Sequence, residues 1–88
     1  MGEVAERIES KLRAALSPSK LELRDDSARH AGHAHAGVES HFDLTIEAAR
    51  FAGLARVARQ RLVMGVLAEE LAGPVHALAI HARAPGEG

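Results

Sequence analysis

The chain has 88 residues, 47% of them hydrophobic, with eleven basic and twelve acidic side chains and no cysteine. That length suits one small domain with a single core, and the apolar share excludes wholesale disorder. A formal net charge of −1 gives no general electrostatic grip on nucleic acid. The missing cysteines exclude disulfides, thiolate nucleophiles, cysteine-based zinc sites and any self-contained iron–sulfur site.

No stretch approaches the roughly 20 apolar residues of a membrane span, and no signal peptide opens the chain. The expectation is a soluble, cytoplasmic protein with no membrane contact. With two Phe and no Tyr or Trp, the core must come from Leu, Ile, Val and Ala, and platforms for stacking bases are missing.

Residues 2–16 read as an amphipathic helix, because Val4, Ile8, Leu12, Ala15 and Leu16 recur at helical spacing. Ser17-Pro18-Ser19 stops it, since proline disfavours helix in the residue before it. Leu21-Glu-Leu23-Arg alternates as a short strand with one buried face. Asp25-Asp26-Ser27 then opens an irregular loop containing Gly32 and Gly37.

From His41 to Glu47 the alternation is clearest, with Phe42, Leu44 and Ile46 on one face. These two strands predict an antiparallel hairpin with a long connection. Phe51-Ala-Gly53 reads as a turn or short helical piece. Residues 54–71 form the longest helical pattern, in one or two pieces, with Leu54, Val57, Ala58, Leu62, Val66, Leu67 and Leu71 inward and Glu69 and Glu70 on its exposed end. Gly73-Pro74 ends it.

Residues 75–82 form a third strand, apolar on both faces apart from its histidines, and so expected inside the sheet rather than at its edge. The tail at 84–88 is polar and Gly/Pro-rich, hence expected to fray. The fold class is α+β: a small αββααβ sandwich with a three-stranded mixed sheet and helices on one face, all within a single domain, residues 1–88.

Four of the six histidines, His30, His33, His35 and His41, fall within one short stretch, and His76 and His81 lie in the third strand. Imidazole is the commonest metal-ligating side chain and titrates near physiological pH. The stretch is either a solvated polar loop or a source of ligands, which His76 or His81 could join. Its spacings match no closed zinc box. His76 and His81 differ in parity, so a regular strand would send one towards the helices and the other to the open face.

Arg50, Arg56, Arg59 and Arg61 form a second group, with no acidic residue between Arg50 and Glu69. Near a helix N-terminus they suit a phosphate, an acidic peptide or a nucleic-acid backbone, or they are simply a solvated helix face. Phosphate loops, nucleophile elbows and HExxH are all absent. The expectation is a protein that is not an enzyme and has no catalytic residues.

Leu21-Glu-Leu-Arg-Asp-Asp-Ser, a His-bearing loop and Glu39-Ser-His-Phe42 resemble BolA-like proteins. So do Arg50-Phe-Ala-Gly-Leu54, Val57-Ala-Arg-Gln-Arg-Leu-Val63, Leu67-Ala-Glu-Glu-Leu71 and Gly73-Pro-Val-His-Ala-Leu78. The resemblance runs from about Ile8 to Ala84. It implies a fold similar to a class II KH domain.

It also implies a heterodimer with a monothiol glutaredoxin, sharing a bridged [2Fe–2S] cluster. The glutaredoxin supplies a cysteine, glutathione a thiol, and the BolA side an invariant histidine with a loop ligand. On this chain the invariant position falls on His76 and the loop position on His30, with His33 and His35 as alternatives. The implied role is iron–sulfur cluster trafficking or maturation, or iron-status regulation. The free chain is then a monomer or weak homodimer. Imidazole ligands must be neutral, so such a cluster becomes labile as pH falls below the histidine pKa.

The chain departs from the family at Arg59-Gln60-Arg61, where the family usually reads Arg-His-Arg. Unlike a KH domain, Gly53-Leu-Ala-Arg56 keeps only the first glycine of a Gly-x-x-Gly loop. Some BolA proteins are DNA-binding transcriptional regulators, and here that role would use the patch from Arg50 to Arg61.

Overall fold

A computed structural model of the chain describes residues 2–26 and 41–87. Its elements run α1 (Glu3–Leu16), β1 (Lys20–Asp25), β2 (His41–Glu47), a 3-10 turn (Ala49–Phe51), α2 (Arg56–Val66), α3 (Ala68–Ala72) and β3 (Ala77–Arg83). This is the expected αββααβ order. In α1, Glu3 and Glu6 occupy the first turn, where negative charge complements the helix dipole. Ala5, Ile8, Leu12 and Leu16 form its buried stripe. The helix ends at Ser17, which adopts a left-handed conformation (φ 44°, ψ 57°) and donates its N–H to the Arg13 carbonyl.

The sheet has the order β1-β2-β3. β1 runs antiparallel to β2, from Lys20 opposite Glu47 to Asp25 opposite Phe42. β3 runs parallel to β2, from Ala77 opposite His41 to Arg83 opposite Glu47. A parallel pair needs a crossover, which the 3-10 turn, α2 and α3 provide. Phe42, Leu44 and Ile46 of β2 share one core with Ile8 and Leu12 of α1, Phe51, Val63 and Leu67. Each such fully buried side chain contributes about 1.5–3 kcal/mol. The opposite sheet face carries Asp43, Thr45, Glu47, His81 and Arg83.

Several expectations are corrected. β3 is an edge strand, not an inner one. Its inward residues Leu78, Ile80 and Ala82 pack on the core, while Ala77 and Ala79 on the other face are small enough to stand exposed. Val57, read as inward, is 58% exposed; it lies six residues before the buried Val63, about 120° round the helix. The helical stretch is in two pieces, as the αββααβ order implies, with the break at Leu67, whose backbone (φ −101°, ψ 21°) leaves the helical range.

That break reorients α3, so Glu70 is 0% exposed rather than solvated. Neither strand histidine is buried against the helices: His81 is exposed on the open face, and His76 precedes the regular strand and is exposed, with Val75 in the buried position beside it. The tail is anchored at 84–87. Ala84 is buried, and Glu87 accepts from the Arg59 guanidinium and from the Ala84 N–H.

Candidate functional site

The parallel pairing of β2 and β3 brings both of their N-terminal ends to the same end of the sheet. His41 opens β2 opposite Ala77, and His76 is the residue before Ala77. Their imidazole rings therefore meet, with centroids 5.5 Å apart and planes tilted by 55°. His76 is exposed and His41 half-buried. The antiparallel β1 ends at this same end, where the Asp26 N–H donates to the His41 carbonyl at 2.7 Å. The histidine-rich stretch thus leaves the described sheet at Asp26 and rejoins it at His41, beside His76.

His30, His33 and His35 lie outside the described residues. Among the described residues, no group of three His, Cys, Asp or Glu side chains is arranged to hold a metal ion. His41 and His76 thus place two potential metal-ligating imidazoles side by side at this end of the sheet, in a chain without cysteine. His81 is not part of it. It sits five residues further along β3, roughly 16 Å away at strand rise, on the open face with Nε2 3.5 Å from Asp43 Oδ1.

The turn that carries His76 is tied to α1 by a charge cluster. Glu70 accepts from Arg7 Nη2 at 2.9 Å and from Lys11 Nζ at 2.8 Å, while Lys11 also reaches Glu69 at 2.8 Å. Burial pushes the Glu70 carboxyl up, but hydrogen bonds from Lys11, its own backbone and Arg7 outweigh it and hold the group below its ordinary value. The Glu70 backbone carbonyl accepts the N–H groups of Gly73 at 3.2 Å and Val75 at 2.9 Å. A Cβ added at Gly73 would stand 3.3 Å from the Glu69 carbonyl oxygen, so glycine suits this tight return.

The four arginines diverge. Arg59 is only 13% exposed and acts as a fastener. Its Nε donates to the Leu54 carbonyl at 2.9 Å, Nη1 to the Ala82 carbonyl at 3.3 Å, and Nη1 and Nη2 grip Glu87 at 2.6 and 2.7 Å. The Arg59 hydrogen bond holds the Glu87 carboxyl down at about 2. Arg50, Arg56 and Arg61 are exposed. Arg56 and Arg59 line a cavity of about 360 Å³ with Arg83 and His81; Arg50 and Arg61 do not.

The sequence pattern places His41 at the start of β2 and Glu70 on the exposed end of a helix, and marks neither as part of a site. The proximity of His41 to His76 depends on the parallel register, which no local pattern encodes. The inward turn of Glu70 depends on the break at Leu67, which no proline marks and which Gly65 precedes by two residues inside α2.

Among the described residues, no helix is long and apolar enough to cross a membrane. The family model for BolA-like protein matches residues 12–87. Human BolA-like protein 1 is 51% identical over 87 residues, a match covering 99% of this chain and 62% of that protein. This chain therefore spans less than two thirds of that relative. A protein of Escherichia coli named DNA-binding transcriptional regulator BolA is 49% identical over 78 residues, covering 89% of this chain and 72% of its own. The structure called the BolA domain of SufE1 from Arabidopsis thaliana superposes with a TM-score of 0.91 at 39% identity, covering 100% of this chain and 99% of that one. A family match over residues 12–87, joined to half-identical relatives and the same fold, makes this chain a member of the BolA-like proteins.

Proposed function

We propose that this protein is the non-catalytic partner of a monothiol glutaredoxin and co-ligates a [2Fe–2S] cluster through His76 and a second histidine. The role is cluster trafficking or maturation, or iron-status regulation. The observation that carries the reading is the exposed His76 ring standing 5.5 Å from that of His41 at the end of the sheet. A cysteine-free chain needs outside thiolates to hold a cluster, and a glutaredoxin cysteine with glutathione supplies two. Two imidazoles opposite two thiolates give mixed ligation, which raises the reduction potential of the bound cluster.

The family resemblance gives the second ligand as His30, with His33 and His35 as alternatives. The ring contact adds His41. On this chain's side the parallel register presents the imidazoles together, and the Glu70 cluster holds the His76 turn against α1. Mixing the purified chain with a monothiol glutaredoxin, glutathione and iron under reconstituting conditions tests the reading. A coloured heterodimer is expected; separate elution of two colourless proteins contradicts it.

A second reading is supported by the name of the Escherichia coli relative and by the exposed Arg50, Arg56 and Arg61: DNA-binding transcriptional regulation. It ranks second because Arg59 is already committed to Glu87, and the net charge is −1. Salt-sensitive DNA binding, lost on replacing Arg56 and Arg61 and indifferent to His76→Ala, would favour it over the first.

A further inference from the structure

The cavity between α2 and the outer edge of β3 lies apart from the His41–His76 pair and shares only Arg56 with the exposed arginines of the DNA reading. We propose that it is a binding site for a small molecule carrying a phosphate or carboxylate group, with Arg56 and Arg83 as the principal contacts. The space is about 360 Å³, at the small end of ligand-sized pockets. Its wall combines Arg56, Gln60 and Arg59 of α2 with His81 and Arg83 of β3 and Thr45 of β2, and no acidic residue lines it. Ile80 and Ala82 supply an apolar floor.

Three observations point to an oxyanion. The Arg56 side chain makes no ion pair or hydrogen bond among the described residues. Arg83 Nε is buried in an ion pair with Glu47 Oε2 at 3.4 Å. Its side chain is 42% exposed and its Nη groups make no hydrogen bond among the described residues, which leaves them for an incoming acceptor. The rim already displays the matching chemistry, because Arg59 clasps the Glu87 carboxylate with two bonds while the Ala84 N–H gives a third. Planar guanidinium groups bind carboxylate and phosphate in this paired geometry.

A nucleic acid strand fits less well. Arg50 and Arg61 stand outside the lining, so the cavity offers one anion position rather than a track, and no aromatic side chain in it could stack a base.

The test is a titration of the full chain with inorganic phosphate and, separately, with succinate, each against potassium chloride of equal ionic strength. Backbone and guanidinium NMR signals provide the readout. Saturable shifts at Arg56, Gln60, His81 and Arg83 with either oxyanion are expected, and the stronger of the two identifies the class of ligand. Arg56→Gln should weaken that binding about tenfold, the loss of one charge-assisted pair. Arg13→Gln, which removes an equal charge from α1 outside the lining, should leave it unchanged.

Shifts that merely track ionic strength, or that survive Arg56→Gln, overturn the proposal. So does a short single-stranded oligonucleotide that binds more tightly than phosphate, extends the shifts to Arg50 and Arg61, and shows the steep salt dependence of several phosphate contacts. The cluster reading stands or falls separately, since neither His41 nor His76 lines this cavity.

Discussion

His76 stands one residue ahead of the strand partner of His41, and this offset alone puts the two imidazole rings 5.5 Å apart. His76 is exposed and precedes β3, so its side chain supports little of the fold. His76→Ala should shift unfolding free energy by no more than about 0.5 kcal/mol, the usual range for a surface change. Urea denaturation followed by far-UV circular dichroism checks this. A large loss of stability would mean that the histidine is structural.

Glu70 should be the costliest charged residue to remove. Its carboxylate is 0% exposed and faces both Arg7 and Lys11. Among the described ion pairs, Glu70→Ala leaves only the exposed Lys11–Glu69 pair between α3 and α1. It should cost about 3 kcal/mol, the lower end of the range for breaking a buried ion pair, because both cations retain some access to water. Thermal or urea unfolding of the variant reads this directly, and a change near zero would show the cluster to be incidental.

Acid should loosen the fold through two carboxylates. The native pKa of Glu70 is lowered, and that of Glu87 falls from 4.5 to about 2 under the hydrogen bonds of Arg59 and the Ala84 N–H. A depressed native pKa contributes stability that is fully present above the unfolded value and is lost as pH falls through the native one. The contribution of these two carboxylates should therefore be complete above about pH 5 and decline below about 4.5. Glu87→Gln should flatten part of that decline, as followed by urea midpoints across pH. A midpoint that rises on acidification would contradict the sign.

The tail should depend on Arg59. Arg59→Ala removes the bonds to Leu54, Ala82 and Glu87 together. The Ala84 amide, now bonded to Glu87, should lose hydrogen-exchange protection, while Leu44 and Ile46 in β2 keep theirs. Unchanged exchange at Ala84 would mean that its own packing, not the clasp, holds the segment.

Alternation in β2 and the apolar stripe of α1 were legible because each signals its element within a few residues, and the structure places β2 at His41–Glu47 as the alternation implied. Relations between distant residues were not. Ala77 and Ala79 suit a buried or an exposed face equally, so the edge position of β3 left no mark. Arg59 and Glu87 lie 28 residues apart, and a polar Gly/Pro tail looks loose until its partner is known. The contact of His41 with His76 similarly required the parallel register. Locating His76 among six histidines rested on family resemblance, since spacing alone did not single it out.

The central claim is that His76 ligates a shared cluster. Visible circular dichroism of the glutaredoxin–glutathione–iron mixture, titrated with the wild-type chain, His76→Ala and His81→Ala, tests it most directly. Ligation through His76 predicts a new chiral spectrum that saturates at one chain per glutaredoxin with the wild type and with His81→Ala, and that does not form with His76→Ala. An unaltered spectrum with His76→Ala would contradict it.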